Sequence, residues 1–132
     1  MQALPLRLSP GDDLRDALGA VLAEQGVQAA WVVQGIGSLS AVELRFAGVD
    51  VPTSLRGDYE ILTLAGSLSP DGPHLHMSVS DSQGRVQGGH VAPGCIVRTT
   101  AEVLLMLLPD YRFSREHDAR SGFPELVVRK TT

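Results

Sequence analysis

The residues best placed to do chemistry lie in "GPHLHMSVSDSQGRVQGGHV". Strand periodicity puts His74, His76, Ser78 and Ser80 on one face and Leu75, Met77 and Val79 on the other, toward an apolar core. Alternate strand positions lie roughly 6.6 to 6.8 Å apart. From that spacing two imidazoles can converge on one ion through bonds of about 2.1 Å. The third histidine is His90, and its facing depends on hairpin register. A two-residue loop sets Val79 opposite Val86 and Met77 opposite Gly88, which leaves His90 opposite Leu75 on the wrong side. One extra residue, accommodated as a bulge at Gly88 or Gly89, moves His90 opposite His76. Three neutral imidazoles with an open fourth position is the arrangement of catalytic zinc sites. Glu60 or Glu102 is the candidate carboxylate for such a site, as fourth ligand, outer partner or base. The alternative is an exposed polar stripe or subunit contact formed by His74 and His76, with His90 capping a turn.

Other motifs carry weaker chemistry. "GIGS" at Gly35–Ser38 lacks the full G-x-G-x-x-G pattern and reads as a bend or bulge rather than an anion nest. The single cysteine, Cys95, has no CxxC companion and reads as a small buried hydrophobe rather than a nucleophile. Ser78, Ser80 and Asp81 lie near histidines but without a nucleophile elbow. Arg112, Arg115 and Arg120 with Asp110, Glu116 and Asp118 are mixed in sign, the pattern of a solvated or interfacial ion-pair loop.

The elements that must position these residues follow from periodicity. "ALPLRL" alternates as a strand. Ser9 and Pro10 then open a helix whose Leu14, Ala17, Leu18, Val21 and Leu22 form one apolar face, closed by Gly26. "QAAWVVQGIGSLSAVELRF" predicts two strands joined by a glycine-rich turn or bulge. After an exposed loop "DVPTSLRGD", "YEILTLAGSLS" predicts another strand, and "HLHMSVS" and "RVQGGHV" pair as a hairpin across "DSQG". "CIVRTTAEVLLMLL" fits either a strand passing into a short helix or one long buried strand, the first being preferred. A polar loop and a last strand, "ELVVR", close the chain. Strands with one good helix kept apart from them predict an α+β domain on a mainly antiparallel sheet.

With 132 residues, 43% hydrophobic and 20% charged, the chain is expected to form one domain, residues 1–132. A single cysteine excludes an intrachain disulfide and, with no signal-peptide pattern and no apolar run of membrane-spanning length, the expected location is cytoplasmic. A net charge of -4 repels phosphate backbones, so duplex DNA is a disfavoured partner.

The segment "YEILTLAGSLSPDGPHLHMSVSDSQGRVQGGHVAPGCIVRTTAEV", with "GDDLRDAL", "GIGSL" and "FSREHDARSGFPEL", strongly resembles the PPC (plant- and prokaryote-conserved) domain. Its most specific part is G-x-H-x-H followed by G-G-H-x-x-x-G-C. The resemblance implies a largely antiparallel central sheet with flanking helices, assembled as a homotrimer. It implies that His74, His76 and His90 form the family's histidine cluster, a divalent-metal site suited to zinc, and that Glu60 and Glu102 match recurring acidic positions. In plants the domain accompanies DNA-holding AT-hooks, and this chain has none. Three readings follow in order of preference. The first is a trimeric metal-binding module for sensing, scaffolding or binding a small-molecule ligand. The second is a DNA-associated regulator, and the third a metal-dependent hydrolase or lyase with Glu60 or Glu102 as base.

Overall fold

In the computed structural model, which describes residues 1–131, Asp13 rather than Ser9 caps the first helix. Its Oδ1 accepts from the backbone N–H of Asp16 at 3.0 Å, while Oδ2 accepts from Gly94 N–H at 2.8 Å. The same carboxylate therefore starts the helix and ties it to a loop on the sheet. Ser9 and Asp12 instead close a turn on each other. The expected single helix is two short ones, α1 (Leu14–Gly19) and α2 (Val21–Gln25), with Ala20 ending one and starting the next. Their apolar face is as expected: Leu14, Leu18, Val21 and Leu22 are buried in the core. Gly26 ends α2 in the left-handed conformation that glycine tolerates best (φ 67°).

The rest is sheet. A six-stranded sheet runs in the order β1 (Gln2–Leu8), β6 (Ile96–Leu107), β2 (Ala30–Arg45), β3 (Thr53–Ser69), β4 (Gly72–Ser80), β5 (Val86–Val91). All of its strand pairings are antiparallel. The expected antiparallel sheet is present, and the expected flanking helices reduce to the two short ones. The sheet curls until β5 meets the far end of β2, pairing Leu44 with Val91 and Arg45 with His90. Thus β2 to β5 form a closed ring, with buried Leu39, Val42, Leu44, Leu64, Leu75, Met77 and Val79 turned inward.

Four expectations are corrected. The glycine-rich segment at 35–38 joins no two strands by a turn: β2 is one strand of 16 residues, and of the expected turn or bulge it is the bulge that is present, as register shifts between Val32 and Ala41. Gly37 is required there by crowding, since a Cβ would stand 2.6 Å from the Ala101 Cα. "CIVRTTAEVLLMLL" contains no helix. Ala101, Val103, Leu105 and Leu107 are buried at strand period while β1 and β2 supply ladder partners on both sides. Finally, β3 begins inside the expected loop at Thr53, and the expected polar loop after Pro109 is a strand. β7 (Tyr111–His117) pairs with β8 (Pro124–Lys130) as a second, two-stranded sheet. Buried Phe113 packs edge-on against Trp31, with ring centroids 6.3 Å apart, and holds this hairpin against the main sheet.

Candidate metal centre

His74 and His76 extend from β4, and His90 from β5 lies directly opposite His76. The expected register is therefore present, but its cause is different. No bulge interrupts β4 and β5. The extra residue is in the turn, where Asp81 to Arg85 close a longer loop: Asp81 N–H donates to the Arg85 carbonyl at 2.9 Å, and its Oδ1 accepts from the N–H groups of Gln83 and Arg85 at 2.9 Å. Gly88 and Gly89 serve packing instead of unusual backbone angles. A Cβ on Gly88 would stand 2.9 Å from the Met77 carbonyl oxygen, and one on Gly89 would stand 2.8 Å from that of Arg45. The glycine pair lets β5 fit between β4 and the end of β2, which brings His90 to the other two.

The three histidines each offer a ring nitrogen, and these atoms lie within 4.8 Å of one another. Ring centroids are 5.0 Å (His74–His76), 5.3 Å (His74–His90) and 5.7 Å (His76–His90) apart. Ligands on a tetrahedral zinc with bonds of about 2.05 Å stand about 3.4 Å apart. Small ring rotations close the difference, so the donor set fits a divalent cation. Burial, then the Arg115 guanidinium, lowers the His74 pKa; burial, then Arg45, lowers that of His90 to about 4. Both effects keep the rings neutral, the form that ligates metal.

The other sequence candidates lie elsewhere. Glu60 faces Ser38 and Ser80, and stands five residues along β3 from Ala65, the residue opposite His76. That is roughly 16 Å at strand rise. Glu60 and Glu102 line a separate depression with Arg98 and Thr99, so the expectation of a carboxylate from either beside the histidines is not met within this chain. Ser78 Oγ is paired with Thr63 Oγ1 at 2.6 Å, and Asp81 is committed to its turn, which leaves no hydrolytic triad among them. Cys95 is buried, with its Sγ donating to the Glu43 and Ala92 carbonyls, and burial raises its pKa to about 11.

Sequence reasoning passed over Arg15 and Arg45 and took Arg115 for part of an ion-pair loop, whereas it makes no ion pair among the described residues. Arg115 Nη2 lies 3.1 Å from His74 Nδ1 and 2.8 Å from Ser67 Oγ, and Arg15 and Arg45 also border the site. They come from β7, α1 and the end of β2, and no local spacing could connect them.

Comparison with known proteins agrees with this architecture. The Plants and Prokaryotes Conserved (PCC) domain profile matches residues 1–109, which leaves β7 and β8 outside it. Bifunctional protein GlmU of Synechococcus sp. (strain JA-3-3Ab) is 46% identical over 130 residues; these cover 98% of this chain and 21% of that protein. The chain thus spans about a fifth of the curated relatives it matches. A hypothetical protein of Salmonella enterica superposes with a TM-score of 0.96 at 42% identity, covering 99% of this chain and 95% of its own. A metal-containing protein of Archaeoglobus fulgidus superposes at 0.79 with 25% identity, covering 96% and 94%. A Ralstonia eutropha JMP134 protein described as a candidate DNA-binding protein shares the fold at 0.82 and 21% identity, covering 95% and 90%.

Proposed function

The chain belongs to the Plants and Prokaryotes Conserved (PCC) domain family, and from that premise we propose that it is a self-associating metal-binding module of the cytoplasm. In this reading His74, His76 and His90 hold one divalent cation, zinc being the ion best matched to three imidazoles. The observation that carries it is the convergence of three ring nitrogens within 4.8 Å from two paired strands. The metal-containing description of the Archaeoglobus fulgidus relative supports it. Three protein ligands leave a coordination position for a ligand or water, so the site would serve sensing, scaffolding or small-ligand binding.

Assembly as a homotrimer is part of the proposal. Trp31, Ile36, Leu62 and Leu104, from β2, β3 and β6, are exposed large hydrophobics, and Gln34 pairs with Leu104 and Ile36 with Glu102 across one sheet face. An exposed apolar face of this kind marks an interaction surface.

Elemental analysis of protein purified without a metal-affinity tag tests the metal. Near one zinc or similar ion per chain, lost in His76→Ala, is the expected result. Protein that holds no metal and takes up no added zinc would overturn it. The DNA-associated reading draws on the described role of the Ralstonia eutropha neighbour, and the net charge of -4 opposes it. Salt-sensitive duplex binding at low ionic strength would favour it.

A further inference from the structure

Beside the three histidines lies a cleft of about 500 Å³ whose walls include His74, His90, Arg15, Arg45 and Arg115. These guanidiniums come from α1, β2 and β7, three elements far apart in sequence. Among the described residues the ion pairs are Arg56–Glu43, Arg98–Asp58 and Arg129–Glu116, so none of the cleft arginines is neutralised by a carboxylate contact. Arg15 Nη1 donates to the Pro73 carbonyl at 2.6 Å, and Arg115 donates to Ser67 and His74. Arg45 makes no side-chain hydrogen bond among the described residues. Two carboxylates, Asp71 and Glu125, also border the cleft, and Asp71 already accepts from the Arg115 backbone N–H at 2.8 Å. In a chain of net charge -4, positive charge is thus concentrated where the histidines converge.

We infer that this cleft is an oxyanion subsite, taking the carboxylate or phosphate group of a small molecule whose other end reaches the cation held by His74, His76 and His90. The inference rests on the metal-binding reading for that second contact, while the arginine cradle stands on its own geometry. Guanidiniums match planar oxyanions through paired N–H donors, which a flexible ammonium does not. The volume falls within the range of small-molecule sites. Arg115 supplies the coupling. It spends a cationic donor on the neutral His74 Nδ1, and an anion offers that donor a stronger acceptor. Drawing Arg115 toward the anion releases His74 to turn to the metal, so the two ligands strengthen each other's binding.

Titration calorimetry on the full chain, zinc-loaded and metal-free, with propionate, propyl phosphate and 1-propanol separates the sources. One anion is expected to bind at millimolar concentration or below, identifying the headgroup, and propanol is expected not to bind. Arg45→Met and Arg15→Met should each weaken that binding at least tenfold. Arg45 is exposed at a strand end, so its replacement spares the core; the pair of variants guards against misfolding of either. Anions that bind neither form, or bind wild type and both variants equally, would overturn the subsite. Arginine-dependent anion binding in a protein that takes no zinc would retain the subsite and overturn the metal reading alone.

Discussion

The Arg115 guanidinium, carried on β7, stands 3.1 Å from Nδ1 of His74. Arginine has donors only, so Nδ1 is the acceptor and the neutral ring carries its proton on Nε2. A cation reaching either nitrogen must therefore disturb this contact: at Nδ1 it displaces the guanidinium, and at Nε2 it sends the proton to the side facing Arg115. In the absence of an anion, Arg115 and a metal ion compete for the same side chain. Arg115→Met should raise zinc affinity about threefold to tenfold, the worth of one hydrogen bond to a charged group reduced by partial exposure. Competition against a chromophoric chelator in anion-poor buffer measures this. Unchanged or weaker affinity would mean that Arg115 chiefly positions the ring.

Gly89 links the fold to the site just as directly. Its missing side chain lets β5 approach Arg45, the residue paired with His90. Gly89→Ala should cost about 1–3 kcal/mol through overpacking. It should also weaken zinc binding more than an equally destabilising core change far from β5, such as Val103→Ala. Equal zinc affinity in the two variants would detach the glycine from the site.

What was legible in the sequence was whatever one element encodes alone. His74 and His76 share a face because strand period is two, and Leu14, Leu18, Val21 and Leu22 share one because helix period is 3.6. The position of His90 opposite His76 was reachable only as one of two registers, because the turn at Asp81–Arg85 sets it by hydrogen bonds that spacing does not reveal. The glycines at 88 and 89 looked like conformational devices, yet their role is clearance, Gly88 from the neighbouring β4 and Gly89 from the end of β2 more than forty residues away. Long-range sheet closure likewise hid the arginines and separated Glu60 from the histidines. Local propensity at "EVLLML" was ambiguous until partners on both edges chose the strand.

Self-association is testable at one position. Ile36 is 50% exposed on β2, and in the proposed trimer that face is covered. Sedimentation of wild type is expected to give three times the chain mass, and Ile36→Asp to shift it toward one, since burying a carboxylate in an apolar contact is costly. A wild-type monomer, or an Ile36→Asp trimer of unchanged stability, would remove this face from the interface.

The depressed histidines make a pH prediction whose window is distinct. Burial first, then Arg45 and His74, holds His90 at about 4, below its ordinary 6.5, and His74 is lowered in the same direction. Between those values the unfolded chain binds protons that the folded chain refuses, so stability falls as pH falls from 6.5 toward 4. Carboxylates act in a separate range. Hydrogen bonds from Arg129 and Ser114 hold Glu116 at about 2, and its contribution is lost only as pH drops from its ordinary 4.5 toward that value. Urea midpoints of metal-free protein at pH 7.5, 6.5, 5.5 and 4.5 should therefore decline below 6.5 in wild type. His90→Asn should flatten the decline. A wild-type curve flat down to pH 4.5 would mean that His90 titrates alike in both states.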